Sequence, residues 1–359
     1  MSINQSNTKL FTKLAFEQAK INLGSTGLNP SVGCVVVKNN SIISSGHTSL
    51  RGRPHAEHNA LKKKINFNDS KIYITLEPCF HYGKTPPCSR IITKKKIRSV
   101  NFSLFDADKR TAHKTIKYFK QKKIKIKHGL LKKIGEDFYQ SYILFHKKKI
   151  PLIDAKVAIS KDYFTKNKKS KWITNEHSRI RANYLRSNYD LLISTSKSIN
   201  EDGSLLDCRI EGLEKKSPDV LVVDRNFKLK INSGLFNKKN RKIILLICKN
   251  NKRKEKYLKE RGVKILKFEK MSSLNDFYSL FCQLNLMGYS RVFIETGLTF
   301  LNFLISSKFL NNLYVFKSSK KLNNNGFNFT KINLIKKFKL KNKVKVNLFN
   351  DMLYKIKIK

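Results

Sequence analysis

The sequence predicts an α/β protein built as two layered domains, and three observations lead there. Short β-branched or alternating apolar runs recur between segments with helical spacing through most of the 359 residues. One charged run closed by proline, His146-Lys147-Lys148-Lys149-Ile150-Pro151, interrupts the alternation and marks a boundary. The length then divides into residues 1–148 and 149–359, each long enough to bury its own core.

In the first part, Leu10, Leu14, Ala15 and Ile21 sit among polar neighbours and predict an amphipathic helix over residues 8–22. Val32–Lys38 is a β-branched run, Asn39-Asn40 a turn, and Ser41–Ser45 its hairpin partner. Pro54 opens a helix expected over His55–Lys64. Lys71–Leu76 alternates as a strand, and Pro86-Pro87 starts a helix from Cys88 to about Lys96. Strand, helix and strand follow at Ser99–Ser103, Thr111–Lys122 and Ile124–His128. In the second part, strands are expected at Leu191–Thr195, Val220–Asp224, Ile243–Cys248, Val263–Phe268, Val292–Glu295 and Leu313–Lys317. Beyond Ser318 the Lys/Asn-rich sequence supports no assignment.

Composition narrows the function. An apolar share of 40% excludes disorder despite the charge. The absence of a run of about twenty uncharged apolar residues argues against a membrane span. The first residues lack an apolar signal core, and the six cysteines show no framework spacing, so a reducing, cytoplasmic setting is expected. A net charge of +50 invites nucleic acid as a partner. However, the lysines are spread through the chain beside abundant Asn, Ile and Phe, and Arg is much scarcer than Lys. Compositional drift therefore explains the charge better than a polynucleotide surface, and the same field suits a phosphorylated small molecule.

The chemistry lies in His55 of Pro54-His55-Ala56-Glu57 and in Cys79 and Cys88 of Glu77-Pro78-Cys79-Phe80-His81-Tyr82-Gly83-Lys84-Thr85-Pro86-Pro87-Cys88. One imidazole and two thiolates predict a zinc site whose fourth position holds water. Both cysteine and histidine stand near helix starts, where the macrodipole favours anionic ligands. Glu57, two residues past the histidine, is placed to take the water's proton and return it to a ring nitrogen and a leaving amine. Asn29, before Pro30, is placed to read the edge of a heterocycle. His81 and Lys84 lie in the inter-cysteine loop, where substrate contact and solvated charge are equal alternatives.

Eight residues separate the two cysteines, where nucleic-acid and cytidine deaminases usually have two. This long form, with Asn29-Pro30-x-Val32-Gly33 and Pro54-His55-Ala56-Glu57 in the same order, resembles the bifunctional riboflavin-biosynthesis deaminase–reductases. The resemblance implies a cytidine-deaminase-like three-layer N-terminal domain and a dihydrofolate-reductase-like C-terminal domain. It implies zinc and NADPH as cofactors and a diamino-ribosylamino-pyrimidinone phosphate as substrate. Membrane and nucleic-acid partners are not expected, and a homo-oligomer is a further expectation.

In the C-terminal part the resemblance rests on Lys156, Ser160 and Asp162, on Ser170-Lys171-Trp172-Ile173-Thr174, and on Glu295-Thr296-Gly297-Leu298-Thr299. It implies that Ser170, Arg186, Leu206, Arg209 and Glu295 contact substrate, and that Trp172, Ser198, Asp202 and Gly297 meet the nucleotide. On residue type alone, Trp172 fits a core anchor equally well. Several turns depart from the family pattern. Asp106-Ala107-Asp108 replaces Asp-Pro-Asn, Lys161 and Tyr163 replace the Leu and Gly of Leu-Asp-Gly, Gly203-Ser204 replaces Asp-Pro, and Thr296 and Leu298 replace Gly and Pro. Tyr163 predicts an altered turn, because a Cβ restricts φ where glycine does not. Two other activities fit fewer of these residues: a deaminase with a degenerate reductase domain, or a tRNA deaminase with a basic binding domain.

Overall fold

The computed structural model describes residues 3–83, 85–237 and 241–359 and divides into two compact units, Met1–Ile150 and Pro151–Lys359. Lys84, one of the loop positions singled out above, lies outside the described residues.

The first unit runs α1 (Ile3–Lys20), β1 (Gly33–Lys38), β2 (Ser41–His47), α2 (Ala56–Leu61), β3 (Lys71–Leu76) and α3 (Cys88–Lys94). It continues with β4 (Ser99–Leu104), α4 (Lys114–Gln121), β5 (Lys125–Lys127), α5 (Lys132–Phe138) and α6 (Gln140–Lys148). Its five strands order as β2-β1-β3-β4-β5, antiparallel on both sides of β1 and parallel from β3 to β5. Alternation along β1 splits the core between the two faces of the sheet. Val35 and Val37 pack with Phe11 and Ala15 of α1, while Cys34 and Val36 join Ala56 and Ala60 of α2. Gly46 allows α2 its close approach, since a Cβ there would lie 2.5 Å from the Ala56 carbonyl oxygen and 2.6 Å from the Ala60 nitrogen.

The second unit runs β6 (Leu152–Ile159), β7 (Lys166–Asn167), α7 (Glu176–Arg186), β8 (Leu191–Thr195), α8 (Ser196–Asp202) and β9 (Asp219–Val223). Next come β10 (Ile243–Ile247), α9 (Lys252–Glu260), β11 (Lys264–Lys267), α10 (Leu274–Leu286), β12 (Arg291–Glu295) and α11 (Leu298–Ser306). It closes with β13 (Asn312–Lys317), β14 (Gly326–Phe327) and β15 (Met352–Lys357). Eight strands order as β11-β10-β9-β8-β12-β6-β13-β15, all parallel until β15 pairs antiparallel with β13. Ile193, Leu221, Leu246 and Ile294 face α10 and α11, and their neighbours Leu192, Val222, Leu245 and Phe293 face α7, α8 and α9. A parallel sheet covered on both faces needs such continuous apolar strands.

The Lys/Asn-rich end left unassigned above holds β15, an edge strand. Its Lys355 and Lys357 are exposed on either side of the half-buried Ile356, so charge masks the alternation.

Candidate active site

Three elements of the first unit deliver the metal-type side chains. His55 is the N-cap of α2, Cys79 follows the end of β3, and Cys88 is the first residue of α3. His55 Nδ1 lies 3.6 Å from Cys79 Sγ and 3.5 Å from Cys88 Sγ. All three ligand atoms fall within 4.8 Å of one another. Zinc with ordinary Zn–N and Zn–S bond lengths and tetrahedral angles needs N···S edges of about 3.6 Å. The donor set therefore fits zinc in both chemistry and spacing. The Cys88 thiol, outweighing burial with help from the His55 imidazole and the Cys88 backbone N–H that donates to Cys79 Sγ at 3.2 Å, holds the Cys79 sulfur at a pKa of about 4 as a thiolate.

Glu57, in the first turn of α2, is only 3% exposed and touches Cys88. Burial and the nearby Cys79 thiolate push its carboxyl up to about 7 against the opposing pull of His55. A carboxyl poised near neutrality can both accept and return a proton.

The cavity in front of these groups is also lined by Asn29, Arg53, His81, Asp106, Asp108 and Arg110. Asn29 is fixed by Thr26, whose hydroxyl donates to its carbonyl at 2.7 Å, and by Gly52, whose φ of +86° brings bare backbone against the Asn29 amide. His81 pairs with Thr111 through Nδ1 and Oγ1 at 3.0 Å.

In the second unit Ser198 and Asp202 lie on α8 directly after β8, and Glu295 and Gly297 stand at the end of β12, the carboxyl-end side on which open α/β sheets bind ligands. Arg186 donates through Nε to Glu295 Oε1 at 2.6 Å and through Nη2 to Oε2 at 3.0 Å. Lys156 Nζ adds a third contact at 3.5 Å. Burial alone would raise the Glu295 pKa, but Arg186 and Lys156 overcome it and hold the carboxyl at about 2. Ser198 and Gly297 face one another: a Cβ on Gly297 would stand 3.8 Å from the Ser198 hydroxyl. Asp202 accepts from Lys166 Nζ at 2.8 Å, while its carbonyl accepts from Lys171 Nζ at 2.6 Å.

Three of these side chains have surroundings that residue type alone did not indicate. The Leu206 side chain is buried in the core with Ile199 and Val222, and its carbonyl accepts from Arg241 Nη1 at 2.7 Å. Arg186 does not present a free guanidinium, because Glu295, Asn183 and the Asp207 carbonyl engage it. Trp172 is no core anchor. It is 51% exposed, with the Lys171 ammonium and the Arg179 guanidinium 5.2 Å and 4.8 Å from its ring centroid. Ser170 Oγ accepts from the Trp172 backbone N–H at 3.2 Å, and Arg209 is exposed with Nε 3.4 Å from Asp207 Oδ1.

Residues 5–104 match the cytidine and deoxycytidylate deaminase zinc-binding region, and residues 151–346 match the RibD C-terminal domain. The riboflavin biosynthesis protein RibD of Chlamydia muridarum is 30% identical over 71% of this chain and 72% of its own length. The chain belongs to the RibD family.

The RibD protein of Aquifex aeolicus is 29% identical over 87% of each chain. A solved Thermotoga maritima diaminohydroxyphosphoribosylaminopyrimidine deaminase/5-amino-6-(5-phosphoribosylamino)uracil reductase superposes with a TM-score of 0.83, at 24% identity over 99% of both chains, and so shares the fold. As a RibD-family protein the chain is a riboflavin-biosynthesis enzyme with deaminase and reductase activity, using zinc and NADPH. Its architecture is the deaminase-like and dihydrofolate-reductase-like pair expected from the motifs. Among the described residues, no helix is long and apolar enough to cross a membrane.

The RibD-family departures acquire physical content here. Tyr163 adopts φ +69°, the left-handed conformation that favours glycine. Lys317 stabilises it, with Nζ 4.4 Å from the Tyr163 ring centroid. Glu77 was quoted above only as part of a motif, yet it organises the loop behind the cavity. Its carboxylate accepts from the backbone N–H groups of Asp106 (3.2 Å) and His113 (3.1 Å) and from the Thr115 hydroxyl (2.5 Å). Tyr142, Phe145 and His146 of α6 also line the cavity and were missed. The lysines that follow made this stretch read as a boundary, although the aromatic spacing before them carried a helical signal.

Proposed function

We propose that the enzyme carries out two steps on one phosphorylated pyrimidine. Residues 1–148 remove the amine from the diamino-ribosylamino-pyrimidinone 5′-phosphate by hydrolysis, and residues 149–359 reduce the ribose of the product to a ribityl chain. The Thermotoga protein of the same fold, a deaminase/reductase by name, supports the assignment. One observation carries the first half: zinc-length edges between an imidazole and two sulfurs, with a sealed carboxyl against them.

Bound in the two sites, zinc acidifies a water molecule and NADPH supplies a hydride. The chain's own residues do the rest. Glu57 takes the proton of the attacking water, passes it to the ring nitrogen, and later delivers one to the departing ammonia. His55, Cys79 and Cys88 hold the metal, and Asn29 reads the edge of the ring. In the reductase half, Glu295 fixes Arg186, and these two border the sugar phosphate together with Ser170, Arg209 and the Leu206 backbone. Trp172, Ser198, Asp202 and Gly297 border the nucleotide.

We place the enzyme in the cytoplasm, which fits six cysteines that are all free, and expect a homo-oligomer without nucleic-acid partners. Ammonia release and NADPH oxidation, measured on the same purified chain with the diaminopyrimidinone and its deaminated product respectively, test the assignment. Both signals are expected. A flat NADPH trace with the deaminated product removes the second half, and absent ammonia removes the first.

A further inference from the structure

The stretch Asp106-Ala107-Asp108, which departs from Asp-Pro-Asn, continues into Arg110 at the cavity wall. Arg110 grips Asp108 through Nε, 3.0 Å and 2.9 Å from the two carboxylate oxygens, and through Nη2 at 2.5 Å. Its backbone N–H donates to the same carboxylate at 2.9 Å. Asp108 is itself pinned, because its N–H donates to Asp106 Oδ1 at 2.9 Å and Asp106 accepts from the Tyr142 hydroxyl at 2.8 Å. The Asp108 side chain is 11% exposed, whereas that of Arg110 is 68% exposed.

This chain of contacts spends the carboxylate and leaves Nη1 of Arg110 without a partner among the described residues. A guanidinium held in one orientation loses little entropy when it meets an anion, and its remaining N–H pair suits phosphate oxygens. Arg53 lines the same cavity and adds a second guanidinium to a wall that also holds the carboxylates of Glu57, Glu77, Asp106 and Asp108.

We propose that Arg110 is a specificity-determining residue of the deaminase cavity that receives the substrate's phosphate, with Asp108 as the positioning residue that aims it. The inference rests on the phosphorylated-pyrimidine reading above. Loss of a charged hydrogen bond to phosphate predicts that R110Q lowers kcat/KM for the phosphorylated pyrimidine roughly 10- to 100-fold, mainly through KM. The dephosphorylated pyrimidine should be affected far less. D108N should shift the ratio in the same direction, and the D108N/R110Q double variant should stay as weak as R110Q.

Equal losses on both pyrimidines would make the pair a structural loop clamp. Recovery in the double variant would make Arg110 a mere counter-charge for Asp108. Either result overturns the proposal. Titration of ribose 5-phosphate into the zinc-loaded full chain supplies a readout free of turnover. R110Q should weaken or remove one binding event, and an unchanged titration also overturns the proposal. If the wild-type enzyme releases no ammonia from either pyrimidine, the functional assignment fails, while the titration still judges Arg110.

Discussion

Cys88 closes the metal triad from the first turn of α3, and its neighbours cannot replace it. Cys88→Ser should cut zinc affinity by more than the roughly 10- to 100-fold that loss of an outer hydrogen bond costs. Metal analysis of the purified variant checks this, and full occupancy would show that another residue supplies the ligand. In the second unit, Glu295→Gln leaves the 8%-exposed Arg186 without its counter-charge. Urea unfolding should register a loss of about 3–5 kcal/mol. The pH dependence has a defined sign. Glu295 titrates at about 2 in the folded chain, below the roughly 4.3 of a free glutamate. Its contribution is therefore full above about pH 4.3 and disappears as pH falls toward 2. Stability in Glu295→Gln should lose that component of its acid dependence, and an unchanged acid profile would mean the pair is not coupled to folding. At this scale the metal residues were legible because His, Glu and Cys at fixed spacing have few other reasons to occur together. The pairing of Arg186 with Glu295 was not legible, since 109 positions separate them.

At the scale of elements, Gly46 sets how closely α2, with Glu57 in its first turn, lies on the sheet. Gly46→Ala puts a methyl group against helix backbone, and overpacking of this kind costs typically ~1–3 kcal/mol. The expected outcome is a lower melting temperature together with weaker zinc binding. A variant with wild-type zinc affinity would show that α2 has room to move. Most strands were legible from β-branched runs, and β8 falls on Leu191–Thr195 as expected. Helix α2 ends at Leu61, shorter than the expected His55–Lys64, where the lysines Lys62, Lys63 and Lys64 gave no stop signal. The edge strand β15 was illegible because alternating lysine reads as solvated tail until β13 offers it a partner.

For the whole molecule, the two chemistries are assigned to separate stretches of chain, each with its own core. Zinc removal by a chelator should abolish ammonia release and leave NADPH oxidation with the deaminated product intact. Loss of both would mean that the reductase half also depends on the metal. The net charge of +50 gives the enzyme a nonspecific attraction for polyanions. That attraction should collapse steeply as salt rises through the physiological range, and RNA should then fail to inhibit ammonia release.

In the proposed function, Glu57 moves the protons of a hydrolysis whose metal is held by His55, Cys79 and Cys88. Glu57→Gln, assayed for zinc content and ammonia release in the same preparation, tests it most directly. Full zinc with ammonia release lowered by at least about 100-fold, the lower range expected of a general acid–base, is the predicted result. Normal turnover by the zinc-loaded variant would contradict it.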